Sequence, residues 1–166
     1  MFVRRLTPED LEAYQALRLR ALREEPAHFG ASFEEESARP PEFWRARLEP
    51  AGDLALFGGF AEDRMVGLSG IWRESSPRRR HLAALVHVYL TPDQRGRGLA
   101  SGLVEAALDH ARSLPGLRAV HLDVMTQNAA ARALYARLGF AEIGLMPEAH
   151  AVEGRFYDDV LMRLAL

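Results

Sequence analysis

The stretch Leu90-Thr91-Pro92-Asp93-Gln94-Arg95-Gly96-Arg97-Gly98-Leu99-Ala100 decides how the chain is read. It leaves an apolar segment, stops at a proline, passes a Gly/Arg loop and enters a helical pattern. Successive backbone N–H groups at a helix N-terminus form a concave anion site, and the helix dipole adds about half a positive charge there. Gly96 and Gly98 let the main chain approach an anion without a Cβ in the way. Arg95 and Arg97 add charge-assisted donors suited to two linked phosphates. Ala100 keeps the first helical turn close to such a ligand. The physical reading is a diphosphate cradle. A bare Gly-x-Gly reads equally as a turn with solvated arginines. The whole run of strand, stop, loop, small residue and helix outweighs that plainer reading.

Downstream of the loop, Leu99, Leu103, Ala107 and Ala111 recur at i, i+4 spacing and predict a helix to about Arg112, stopped by Pro115-Gly116. Ala119 to Met125 alternates and predicts a strand. A second helix follows from Ala129 to Leu138 and closes at Gly139, a left-handed cap position. Phe140–Met146 and Phe156–Leu164 read as two last strands, paired antiparallel. Upstream, His81–Leu90, Met65–Arg73 and Leu54–Ala61 are strands joined by short polar connections, an antiparallel meander. Phe2–Leu6 is a short first strand. Thr7-Pro8-Glu9-Asp10 starts a helix through Leu22, and Pro40-Pro41-Glu42 starts another through Leu48. Between them lies the acidic segment Phe29–Glu36. The result is an α/β chain, a mixed sheet of about seven strands with four helices.

Composition narrows the function. The 166 residues favour one domain, 1–166. Hydrophobic residues at 48% and charged residues at 27% exclude a disordered or fibrous chain. A net charge of −2 points to neither a nucleic-acid nor a membrane-surface partner. There is no cysteine, which removes disulfides, zinc–thiolate sites and a cysteine nucleophile. All 21 Lys+Arg residues are arginine, which excludes a Walker loop. A Rossmann loop follows an early strand and is answered by an acid ending the next strand. Here the glycines come late and the next strand leads into Thr126-Gln127-Asn128. The histidines show no ligand spacing, so no metal site is expected, and no G-x-S-x-G elbow is present. No window holds the roughly 20 apolar residues of a membrane helix, and the first residues lack a secretion signal. A cytoplasmic protein is expected.

Two segments carry a family resemblance. Gln94-Arg95-Gly96-Arg97-Gly98-Leu99-Ala100 resembles the Q/R-x-x-G-x-G/A signature with which GCN5-related N-acetyltransferases (GNAT) bind the pyrophosphate of acetyl coenzyme A. Asn128–Phe140 resembles that family's N-x-x-A-x-x-L-Y-x-x-x-G-F element. Element order agrees over nearly the whole chain. The resemblance implies a central parallel pair, His81–Leu90 and Ala119–Met125, that splays apart around the pantetheine arm. It implies that main-chain groups of Val88 and Leu90 pair with that arm. A backbone N–H of the same strand would polarise the acetyl carbonyl, where a fixed donor can lower the barrier by a few kcal/mol. The diphosphate contacts fall to Arg95, Gly96, Arg97, Gly98, Leu99 and Ala100.

Asn128 sits where a strand ends and a helix begins. Its roles as helix N-cap and as cofactor contact both stay open. Tyr135, two helical turns on, shares its face. By the resemblance, Tyr135 is the general acid that protonates the departing thiolate; a phenol keeps its proton at neutral pH. Candidates for the base are Glu34, Glu35, Glu36, His87, Tyr89, His121 and Asp123, with a water relay as an alternative; none is singled out. The implied function is direct acetyl transfer from acetyl coenzyme A to a primary amine of a small molecule or protein N-terminus. Antibiotic, polyamine and amino-acid acceptors all stay open. The alternatives are a non-catalytic acyl-CoA-binding module and a nicotinamide-dinucleotide binder. A homodimer is a family-level expectation that no residue pattern here shows.

Overall fold

The computed structural model describes residues 2–50 and 52–166. Seven strands form one sheet: β1 (Phe2–Arg5), β2 (Leu54–Ala61), β3 (Arg64–Arg73), β4 (Leu82–Leu90), β5 (Ala119–Met125), β6 (Ala141–Val152) and β7 (Arg155–Ala165). Their order across the sheet is β1-β2-β3-β4-β5-β7-β6. Only β4 and β5 pair in parallel among the described residues; the other neighbours are antiparallel. The helices are α1 (Leu11–Glu24), α2 (Phe33–Ser37), α3 (Pro41–Ala46), α4 (Leu99–Ser113) and α5 (Ala129–Arg137).

That is five helices where the sequence reading gives four. The addition is α2, which lies in the acidic segment. Ser32 accepts from the Glu35 amide at 3.1 Å while Glu35 accepts from the Ser32 amide at 3.0 Å, a capping box. Five residues are too few to show a helical period, so only the cap could have revealed α2. β6 also runs past its expected end at Met146 to Val152, through Pro147. It lies at the sheet edge, where a missing N–H costs no ladder bond.

Alternation in the strands sends side chains to two apolar layers. Phe57, Ile71, Ala83, Leu85, Val120, Leu122 and Val124 meet Val104, Ala107 and Leu108 of α4. On the other face Leu56, Phe60 and Leu68 meet Tyr14, Leu17 and Ala21 of α1 and Trp44 of α3. Leu103 of α4 sits close over Gly67 of β3. A Cβ there would lie 2.6 Å from Leu103 Cδ1 and 3.0 Å from Leu90 Cδ1.

The β3–β4 ladder slips between Leu68 and Gly70, which pair with Tyr89 and Val86, so β4 carries one extra residue. His87, within that bulge, has φ +60°, the left-handed region. The bulge reverses the alternation. Before it Ala83 and Leu85 pack on the α4 face; after it Val88 packs there and Tyr89 turns to α1. β4 and β5 stay in register only at Leu82/Ala119, Ala83/Val120 and Ala84/His121, then part.

Gly67→Ala should cost about 1–3 kcal/mol by overpacking. Urea denaturation reads this as a lower midpoint with unchanged slope.

Candidate active site

Two cavities open where β4 and β5 part. One, of about 570 Å³, is a groove lined by Val88, Tyr89 and Leu90 of β4, by Gly96, Gly98 and Ala100, and by Asn128, Leu134 and Tyr135. The other, of about 370 Å³, lies toward α1 and α2 and is lined by Arg18, Glu36, Arg47, His87, Val88, His121, Asp123, Tyr135 and His150. Val88 and Tyr135 belong to both walls.

The loop at the groove's far end has the form an anion requires. Gly98 is the N-cap of α4 with φ +81° and ψ −8°, and Gly96 has φ +76°. A Cβ on either would meet nothing within 4 Å, so the backbone conformation, not crowding, calls for glycine there. Among the described residues nothing accepts from the amides of Gly96, Arg97, Gly98, Leu99 or Ala100. Unfilled donors, a helix dipole and open space together fit a diphosphate.

Arg95 also lines the groove, with part of its side chain already engaged. Its amide donates to Pro92 C=O at 3.3 Å. Its guanidinium donates to Leu90 C=O at 3.0 Å and to the Glu25 carboxylate. It therefore fastens the loop to β4 and to the end of α1. The Arg97 side chain borders a different hollow, with Arg20, Glu62, Arg64 and Gln94. The Leu99 side chain is buried against Val66, Leu90 and Leu103, so only its backbone is offered to the loop.

α5 holds Tyr135 between two fixed ends. Asn128 Oδ1 accepts from the Ala131 amide at 3.1 Å, which makes Asn128 the N-cap while it also lines the groove. At the other end Gly139, with φ +94°, donates to Ala136 C=O at 3.0 Å, and Phe140 donates to Tyr135 C=O at 3.0 Å. This is a Schellman motif. The Phe140 ring then meets the Tyr135 ring edge-on, 5.9 Å between centroids. Tyr135 is only 6% exposed, and burial raises its phenol above the ordinary value. No protein group among the described residues bonds its hydroxyl, which leaves that hydroxyl free to donate.

The candidate bases separate. Glu34 is exposed, Glu35 caps α2, and Glu36 is buried against Arg18. Tyr89 faces the groove, donating to Glu24 at 2.6 Å; burial and that carboxylate raise its phenol. His87, His121 and Asp123 line the smaller cavity. Burial, then Arg18 and Arg47, push His87 well below the ordinary imidazole value. Burial, then Arg163 and Arg79, lower His121. Burial, then Asp159, raise Asp123.

Sequence reading missed Arg18, Arg47 and His150, which complete this cavity. Arg18 left a signal, since it interrupts the apolar face Tyr14, Leu17, Ala21, Leu22 of α1. His150 left none. It bonds Asp159 at 2.7 Å only because β6 takes up extra residues between Met146 and His150 opposite β7.

Residues 14–140 match the Acetyltransferase (GNAT) family. A spermidine N(1)-acetyltransferase from Vibrio cholerae is 30% identical over 97 residues, 58% of this chain and 56% of that protein. An L-methionine sulfoximine/L-methionine sulfone acetyltransferase from Pseudomonas aeruginosa is 39% identical over 79 residues, 48% of this chain and 45% of that protein. The chain thus spans about half the length of these curated relatives. A putative acetyltransferase from Salmonella typhimurium, solved with acetyl-CoA, superposes with a TM-score of 0.81 at 23% identity, covering 100% of this chain and 94% of that one.

Gly98→Ala forces a Cβ into a left-handed conformation, a cost of about 1–2 kcal/mol, and should weaken coenzyme A binding about tenfold by titration calorimetry.

Proposed function

Because the chain belongs to the acetyltransferase (GNAT) family, we propose that it moves acetyl from acetyl coenzyme A directly to a primary amine of a small molecule or a protein N-terminus. The observation that carries this reading is the meeting of two cavities at Val88 and Tyr135, one with a diphosphate cradle and one without. A diphosphate-bearing thioester enters from one side and an amine from the other. The co-substrate supplies an activated acyl group. The chain supplies position and a proton.

Gly96, Arg97, Gly98, Leu99 and Ala100 would hold the diphosphate through their amides, and Asn128 and Ala100 would flank the arm. Val88 and Leu90 lie on the part of β4 that β5 has left, an edge that takes an extended ligand as an added strand. The new C–N bond forms as the C–S bond breaks. Tyr135 gives its proton to the leaving sulfur and recovers one from solvent as the attacking amine releases its own. Without cysteine the chain cannot hold the acetyl on a thiolate, which agrees with direct transfer.

One sheet takes strands from Phe2 to Ala165, which supports reading 1–166 as a single N-acetyltransferase domain. No helix among the described residues is long and apolar enough to cross a membrane, and a cytoplasmic location fits that. Ile143, Leu145, Met146 and Phe156 are exposed on the β6–β7 hairpin, in keeping with a homodimer.

Thiol release from acetyl-CoA, measured with a panel of primary amines, tests the reading. Tyr135→Phe should lower kcat about 100-fold or more while leaving KM for acetyl-CoA nearly unchanged. Coenzyme A that protects against thermal unfolding while no amine is ever acetylated would instead identify a non-catalytic binding module. A raised phenol loses its proton only at high pH. The kcat profile of the wild-type protein should therefore show no alkaline fall below about pH 10.

A further inference from the structure

The floor of the smaller cavity holds two guanidinium groups and one carboxylate. Arg18 grips Glu36 through two bonds of 2.9 and 3.0 Å, with side chains only 6% and 4% exposed. Arg47 Nη1 reaches the same Glu36 Oε1 at 3.5 Å and the Tyr14 hydroxyl at 3.1 Å. Their other neighbours are aromatic: Phe29 faces Arg18, and Phe43 and Trp44 face Arg47. Glu36 is thus shared by two guanidinium groups, and among the described residues Arg47, partly buried, has no other carboxylate within ion-pair distance. His87 stands beside this pair. Burial, then Arg18 and Arg47, disfavour its charged form, and its Nδ1 is buried without a hydrogen-bond partner. The opposite wall has the other sign. Asp123 lines the cavity, and the Asp159 carboxylate lies behind it, bonded to His150.

We propose that the acceptor is a small primary amine bearing its own anionic group, of the amino-acid class, with its anion on Arg47 and Arg18 and its amine toward Asp123. The inference rests on the acetylation reading above and narrows it. A ligand carboxylate would give Arg18 and Arg47, which share Glu36, a second anionic partner. A polyamine would bring further positive charge against Arg18 and Arg47. A protein N-terminal residue has no free α-carboxylate to offer. The cavity's volume of about 370 Å³ is at the small end for ligand sites, which suits a single amino acid.

The test compares L-amino acids with their α-carboxamides, of equal shape and no negative charge, and with spermidine, using the full chain and saturating acetyl-CoA. The best acid should exceed its amide about 50-fold or more in kcat/KM, the value of a lost charged hydrogen bond. Arg47→Gln should raise KM for the acid, leave coenzyme A binding unchanged and abolish the preference; Arg47→Lys should restore part of it. Amides or spermidine acetylated as well as the acids would overturn the inference and leave the acetyltransferase reading intact. Calorimetric binding to the coenzyme A-bound protein reads the same preference without turnover. Acids that bind where amides do not, with no acetyl moved, would uphold the anion site and remove the acetylation reading. No acid binding at millimolar concentration would overturn the anion site.

Discussion

The parting of β4 from β5 is the constraint on which the site depends. Two parallel strands in the middle of a sheet normally satisfy each other's backbone groups along their length. Here they share three register positions and then diverge, next to a bulge that sets His87 at φ +60°. A non-glycine residue in that conformation costs of order 1–2 kcal/mol and is kept where its surroundings enforce it. The sheet around it does so. β3 holds β4 from one side, and Tyr14 packs against the His87 ring at 6.3 Å. What results is a gap with an unpaired strand edge in the middle of an otherwise continuous sheet. Both cavities, and the two residues they share, follow from that gap.

α5 turns a break in the sheet into a place for chemistry. Its N-cap, Asn128, and its C-terminal Gly139-Phe140 motif fix the helix at both ends, and Tyr135 lies between. Phe140 serves twice, closing the helix with its amide and bracing the Tyr135 ring with its own. Burial then does the electrostatic part. It disfavours the phenolate, so the hydroxyl remains a donor. Arg95 has a related positioning role at the other end of the groove. By joining Leu90 C=O to Glu25 it ties the glycine loop to the segment that leads from α1 toward the smaller cavity.

The smaller cavity shows the opposite pattern. Arg18, Arg47 and Glu36 would be replaced at little cost by packed apolar residues if stability alone were at stake. Two guanidinium groups instead share one carboxylate, Arg47 being only partly buried. The Asp159–His150 pair repeats the theme, with Asp159 Oδ1 buried and unpartnered. Polar groups left unfilled inside the protein cluster on this side of the sheet, whereas the α4 face is packed with apolar side chains.

The sequence by itself determined the seven strands, the four longest-patterned segments of helix, the glycine loop and the capped α5 with its tyrosine. These are local matters: side-chain period, stop residues, caps and positive-φ glycines are written within a few consecutive positions. Only the tertiary structure decided the rest. The bulge at His87 leaves no mark in an alternating apolar run, because the register shift depends on how β3 and β4 fit. Arg95 reads as a phosphate donor, and nothing in that reading shows that Glu25, seventy positions earlier in the chain, also binds its guanidinium. Arg18, Glu36, Arg47, His87 and Asp123 come from three helical segments and two strands, and His150 joins them through the slip between β6 and β7. Charge balance in a cavity is a sum over neighbours in space, and no stretch of sequence contains that sum.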